Sequence, residues 1–312
     1  MRSTHGTRTG PAGTARPTHA TTPAGPAVAR MVLGSRLREL REAQYVSRQE
    51  AAEAIRSTDT RLAGIELGRT GCRLRDVADL LTIFSVDDDA ERAVLLGLAE
   101  QANRPGWWDD YRDVVPEWLE TYLGLEQAAS VIRAYEPQFV PGLLQTPEYA
   151  RALFALGHPG TSTSERERRV RLRTRRQDVL HRTHPPHLWA VIDEAALRRP
   201  FGGPDTLRAQ LHHLTAVSRL PHVTVQVLPL HTGGLVTGGG AVSLLRLAES
   251  GLPDVAYLEQ LRSARYPEDR EEVEFYRHLI DRIVTLAEPA ARTPALLHEL
   301  IHDCCPDPGG AA

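Results

Sequence analysis

Lysine is absent from all 312 residues, so the 37 basic side chains are all arginines. That absence excludes lysine-dependent chemistry, Schiff-base catalysis and a Walker A phosphate loop included. Such an arginine bias fits a GC-rich genome. Cysteine is scarce as well: Cys72, Cys304 and Cys305 are too few and too scattered for a disulfide framework or a four-ligand zinc site. No run of eighteen apolar residues occurs, which argues against a membrane-spanning helix. The first thirty residues, rich in Ala, Thr, Gly, Pro and Arg, lack the apolar stretch of a secretory signal. They read as a disordered tail, 1–30, and Met31 just ahead of the first helix is a second candidate start. What remains is ordinary: 41% hydrophobic and 25% charged residues, enough chain for two domains, and the cytoplasm as the expected location.

Net charge is -3, unlike a protein that holds DNA by bulk electrostatics, but the charge is unevenly placed. Between Arg30 and Ser85 ten arginines face eight carboxylates; between Asp87 and Glu126 eleven carboxylates face three arginines. A weakly basic head beside an acidic connector implies modest, salt-dependent affinity for DNA.

From Leu33 to Phe84 the pattern is one of short amphipathic helices. Leu33, Leu37 and Leu40 stand at i, i+4 and i+7. Ser47 with Glu50 forms a capping box for a second helix, Arg48 to Ile55. Thr58 or Asp59 can cap a third, with Leu62 and Ile65 inward. Arg69 to Arg73 form a loop, and Leu74, Val77, Leu80, Leu81 and Phe84 line a fourth helix. Helix-turn-helix units place their second helix in the major groove of duplex DNA. On that arrangement Gln49 anchors on phosphate; Asp59, Thr60, Arg61 and Gly64 occupy the outward face of the recognition helix; Arg69 and Arg73 lie near the DNA backbone. A small helical bundle without nucleic acid fits the periodicity equally well.

Ser47-Arg-Gln-Glu-Ala-Ala-Glu-Ala-Ile55, Ile65-Glu66 and Gly68-Arg69 resemble the second and third helices of the lambda-repressor-like, or XRE-type, regulators. The resemblance implies a helix-turn-helix domain over 31–100 that binds double-stranded DNA as a homodimer. Three positions depart from it. Arg56 stands where the family usually has Gly, and Asp59 and Gly64 stand where it usually has Ser, Gln, Lys or Arg. An acidic side chain repels phosphate, and Gly inside a helix costs about 1 kcal/mol against Ala.

An acidic helical connector, 101–126, leads to a segment of different character, 127–303, followed by a flexible tail, 304–312. Leu125 to Ala134 reads as helical, as do Glu165 to Arg182, Pro204 to Ser218 and Arg270 to Ala287. Leu188–Ile192, Val223–Leu228, Val242–Leu247 and Val255–Leu258 read as strands. The expected fold is an all-α helix-turn-helix domain plus an α+β domain, with a small sheet of about four strands flanked by helices. The phrases Gly106-Trp-Trp108, Leu125-Glu126, Tyr135-Glu-Pro137, Pro141-Gly-Leu-Leu-Gln-Thr146, Tyr149-Ala-Arg151, Arg176-Gln177, Asp193-Glu-Ala-Ala-Leu-Arg198 and Gln210-Leu211 are similar, in this order, to one large family of high-GC bacteria. Its members are helix-turn-helix regulators with an uncharacterised, antitoxin-like C-terminal domain, commonly encoded next to a small partner protein.

Several motifs invite chemistry. His298-Glu-Leu-Ile-His302 is a literal H-E-x-x-H, but only ten residues follow to supply a third ligand, so a helix burying Leu297, Leu300 and Ile301 is the plainer reading. No metal or cofactor is expected. Arg166 to Arg182 carries eight arginines, with Arg169, Arg173 and Arg176 on one stripe. It is a candidate site for an acidic partner or an anionic effector, or a solvated helix face. The glycine-rich loop His231–Gly240 precedes a strand rather than a helix and reads as a lid or long hairpin loop. Asp193, Glu194 and Glu259 end strands beside the arginine-rich helix. With Gln138, Gln145 and Gln177 they complete the candidate effector or partner site. No Ser, His and acid grouping can be assembled, and no catalytic residue is assigned. Three functions follow. The first is a regulator whose C-terminal domain senses a small molecule or partner protein. The second is an enzyme of natural-product biosynthesis with a decayed DNA-reading helix, motivated by Asp59 and Gly64. The third is an antitoxin-like adaptor for a small neighbouring protein.

Overall fold

Short-range capping builds the first third of the chain. The computed structural model describes residues 25–232, 240–249, 251–260 and 263–304. Most of the expected tails, Cys305 and the central part of the glycine-rich loop lie outside the described residues. Helix α1 (Pro26–Ala43) opens with Pro at its first turn, a position where proline loses no hydrogen bond. It begins before the expected boundary at residue 30, because Ala27, Val28 and Ala29 form an apolar turn that is fully buried. In α2 (Arg48–Ala54) the Ser47–Glu50 capping box is complete, and in α3 (Asp59–Glu66) Thr58 Oγ1 accepts from the Arg61 N–H at 3.2 Å. Helices α4 (Leu74–Ile83) and α5 (Asp89–Ala102) close a core around Leu37, Leu62, Ile65, Leu80, Leu81 and Phe84.

Two contacts fix α3 on α1. A Cβ on Gly34 would lie 2.3 Å from the Ile65 carbonyl oxygen and 2.6 Å from that of Glu66, so the helices touch backbone to backbone there. Arg41 then clasps Glu66 bidentately, at 2.6 and 3.1 Å. The α2–α3 turn explains the missing glycine: Arg56 sits at φ 52°, in the left-handed region where glycine carries no Cβ penalty. Arg56→Gly is expected to stabilise the domain by up to about 1 kcal/mol, measured by urea unfolding; a loss of stability would contradict this account of the turn.

The remainder is a mixed sheet of six strands, not about four. All four expected strands form: β2 (His187–Asp193), β3 (Val223–Leu228), β4 (Val242–Leu247) and β5 (Val255–Glu259). The additions are a short edge strand, β6 (Ala264–Arg265), and the central strand β1 (Ala129–Glu136). The latter corrects the helix expected over Leu125 to Ala134. Helix α6 (Glu117–Ala128) stops at Ala128, and Ser130-Val-Ile then enters the sheet. Strand β1 pairs parallel to β2 on one side and antiparallel to β4 on the other, and these long-range ladders override the local helical preference of Gln127-Ala-Ala129. The order is β3-β2-β1-β4-β5-β6: three parallel strands, then an antiparallel meander.

Parallel strands require crossovers. Helices α7 (Pro147–Gly157) and α8 (Thr163–Arg176) link β1 to β2; α9 (Glu194–Arg198) and α10 (Pro204–Val217) link β2 to β3. Alternate strand residues, among them Ile132, Ala190, Ile192, Val225 and Leu245, share a core with α6, α7, α10 and α12 (Thr293–Cys304). The opposite set, Tyr135, Val191, Leu244 and Ala256, packs on Ile280 and Ile283 of α11 (Arg270–Leu286). The first turn of α1 belongs to this assembly too. Val28 joins the main sheet core, and a Cβ on Gly124 of α6 would lie 2.5 Å from the Ala27 Cβ. Helix α1 is therefore a strut shared by both domains.

Candidate nucleic-acid interface and a buried polar cluster

At the solvent face of the helical domain, Gln49, Asp59, Thr60, Arg61 and Arg73 are all exposed. Asp59 is not a bare negative charge. Its Oδ1 accepts from Arg48 Nε at 2.8 Å, and this hydrogen bond holds the Asp59 carboxyl below its ordinary range. Gln49 donates to Glu53 Oε1 at 3.1 Å. Two of the expected residues are elsewhere. Gly64 is half-buried rather than outward: a Cβ there would meet Thr70 Oγ1 at 2.6 Å, and its carbonyl accepts from the N–H groups of Arg69 and Thr70. Glycine lets the loop fold back over α3. Arg69 turns toward the sheet domain, where Nη2 donates to the Tyr266 carbonyl at 2.8 Å and Nη1 pairs with Glu268.

The arginine-rich α8 faces the chain's own acidic connector. Arg168 forks onto Asp113, Arg175 approaches Asp110 at 3.7 Å, and Arg169 donates to the Val114 carbonyl at 3.1 Å and pairs with Glu165. Arg168, Arg169 and Arg175 are thus engaged within the chain. Deeper in, Arg176 binds both oxygens of Glu126 at 2.9 and 2.8 Å, with side chains only 9% and 2% exposed.

Several of the phrases that run through the sequence hold one loop beneath this pair. Gln210 accepts from the Thr146 N–H and donates to the Leu144 carbonyl, both at 2.7 Å. Gln177 donates to the Gln145 carbonyl at 2.6 Å, and Gln145 to the Val140 carbonyl at 2.7 Å. Gly142 fits closely under Arg173: a Cβ would lie 2.6 Å from Arg173 Nη1 and require that side chain to shift. Beside the loop Arg173, Arg176 and Glu259 meet Glu136, Ser243, Tyr122 and Tyr257 around a cavity of about 50 Å³. Burial above all, then the nearby Glu259 charge, pushes the Glu136 carboxyl up to about 8. Tyr257 donates to Glu259 at 3.2 Å.

The other candidates do not join this cluster. Asp193 caps α9 through the Ala195 N–H at 2.9 Å and accepts from the Tyr135 hydroxyl on the opposite sheet face; Glu194 pairs with Arg198 and accepts from the Leu230 N–H. Gln138 is exposed on its loop. On α12, Leu297 and Leu300 point inward while His298 and His302 face solvent. Sequence reasoning passed over Glu126, Glu136, Tyr122, Ser243 and Tyr257, although Glu126 and Glu136 stand inside the phrases Leu125-Glu126 and Tyr135-Glu-Pro137.

Folded, Glu136 keeps its proton to about pH 8, whereas the ordinary glutamic acid releases it near 4.5. The folded state thus binds more protons across that window, so its stability is greatest below it and falls as pH rises through it. Glu136→Gln is expected to flatten this decline in urea melts between pH 5 and 8; an unchanged slope would contradict the half-buried, protonated carboxyl.

A capped, solvent-facing third helix on a small bundle, joined to a mixed-sheet domain, defines a two-domain helix-turn-helix protein. Residues 32–95 match a family described as Helix-turn-helix domain, and residues 119–299 match one described as Domain of unknown function (DUF5753). The chain belongs to this second family, which covers more than half of its length. The pairing of the two is consistent with an XRE-like helix-turn-helix regulator carrying a large uncharacterised domain. No curated protein and no solved structure matches the chain. None of the helices among the described residues is long and apolar enough to cross a membrane.

Proposed function

We propose that this protein is a cytoplasmic transcriptional regulator that docks α3 in the major groove, as a dimer on a two-fold-symmetric site. The observation that carries the reading is the start of α3: Thr60 and Arg61 are exposed, and Asp59 is neutralised by Arg48. Arg61 takes a base edge or phosphate, Thr60 a second contact, and Gln49 and Arg73 the flanking backbone. Both departures that favoured a decayed reading helix have local reasons, since Asp59 is paired and Gly64 makes room for Thr70. The C-terminal domain receives a small-molecule or partner-protein signal and shifts the DNA equilibrium by its differential affinity for the two states. The Glu136 cavity is not that receptor: about 50 Å³ holds little more than water, against roughly 300–1,000 Å³ for ligand pockets. Its cluster is a structural network, and an enzymatic reading finds no room for substrate there.

The test is binding of a duplex from the protein's own upstream region across a salt series. Affinity is expected to fall linearly on logarithmic axes, with a modest slope. Absence of sequence-specific binding at low salt would overturn the reading. A second result is expected from Glu268→Gln. It releases Arg69 and removes a carboxylate whose field reaches Arg48, so DNA binding tightens several-fold and the salt slope grows by about one. Unchanged binding would mean that Arg69 takes no part in the complex.

A further inference from the structure

A second cavity, of about 450 Å³, lies where the two domains meet. One wall is α1 and the turn after α3, through Met31 and Leu67; the other is the sheet edge and α11, through Val255, Tyr266 and Val273. The size falls within the range of small-molecule sites, and such sites favour domain interfaces. Its charges are unevenly satisfied. Each lining carboxylate is answered by an arginine: Glu66 by Arg41, Asp254 by Arg246, Glu268 by Arg69 and Glu274 by Arg277. No carboxylate is left over to hold a cation. On the donor side Arg277 Nε is buried with no hydrogen-bond partner among the described residues, and Arg270 adds a second positive charge to the same wall.

We propose that this cavity binds a small anionic amphiphile, with an apolar ring or chain between Leu67 and Val273 and a carboxylate or sulfonate on Arg277. The inference locates the small-molecule signal of the regulator and rests on that reading only for its consequence at DNA. Arg69, Glu268 and Tyr266 line the same space, so an occupant touches both halves of the contact that withholds Arg69 from DNA.

Two naphthalene probes on the full chain test it: anionic 1-anilinonaphthalene-8-sulfonate, and uncharged N-phenyl-1-naphthylamine. Saturable one-to-one fluorescence enhancement is expected with the anionic probe. Arg277→Gln should weaken it roughly tenfold, the worth of one charged hydrogen bond, and change the neutral probe less than about twofold. Ser35→Trp and Val273→Trp fill the cavity from opposite walls, and each should abolish binding of both probes while circular dichroism shows the fold intact. Binding that survives either folded tryptophan variant, an equal effect of Arg277→Gln on both probes, or no saturable binding by the parent would overturn the proposal. Should one variant fail to fold, the others still decide. Loss of the probe site with DNA binding intact would remove this inference alone. Failure of the parent to bind its upstream duplex would remove the regulator reading and leave the probe result standing.

Discussion

Arg176→Met is expected to destabilise the C-terminal domain by about 3–5 kcal/mol, the usual cost of stranding a buried charge. Glu126 is 2% exposed and both its oxygens are taken by this one guanidinium, so its loss leaves a buried carboxylate on α6, close to Tyr122, without a partner. Arg176 also lies over the Tyr122 ring, at 5.3 Å from its centroid, so packing is lost with the charge. In a domain of this size the midpoint should fall by roughly 6–20 °C. The double variant Glu126→Leu/Arg176→Met should recover most of the loss, because removing both charges abolishes the desolvation cost that the pair existed to offset. Thermal and urea unfolding of the single and double variants decide the matter. A single-variant cost below about 1 kcal/mol would place the pair in the weak, solvent-screened class instead.

The second large effect is expected at Arg41→Met. Glu66 is 4% exposed in its side chain and sits at the end of α3, held by Arg41 from α1; the same guanidinium donates to the Val46 carbonyl at 3.0 Å. Loss of this clasp should cost the helical domain about 3–5 kcal/mol. It should weaken DNA binding as well, since the clasp works with the Gly34 contact and the Leu62–Ile65 core to set the angle of α3. A variant that melts early but binds DNA at full affinity would show that α3 keeps its position without the ion pair. Far-UV circular dichroism and duplex titration, read together, separate the two results.

What was legible in the sequence follows the range of the forces involved. The capping box at Ser47 and the Thr58 cap are local hydrogen bonds between residues three apart, and both formed where the residue types placed them. Strands β2 to β5 announced themselves by β-branched runs between Gly and Pro. Strand β1 did not, because its conformation is set by β2 and β4, more than fifty residues and more than a hundred residues away in the chain. Burial is equally non-local. Nothing in the local pattern separates Glu126, sealed against Arg176, from the exposed Glu117 nearby. The contacts of Arg69 were not legible for the same reason: its partners, Tyr266 and Glu268, stand nearly two hundred residues downstream. At Gly64 the sequence showed a helix-weakening residue, and only the fold supplied Thr70 as its cause.

The central claim is that the exposed start of α3 meets DNA, and titrating parent and Arg61→Ala against the same upstream duplex at one fixed low salt concentration tests it most directly. Arg61 makes no side-chain ion pair among the described residues, so alanine there should leave the unfolding midpoint unchanged. Affinity should fall roughly tenfold to a hundredfold, as for loss of one base or phosphate contact. Equal affinity of the two proteins for that duplex would contradict the account.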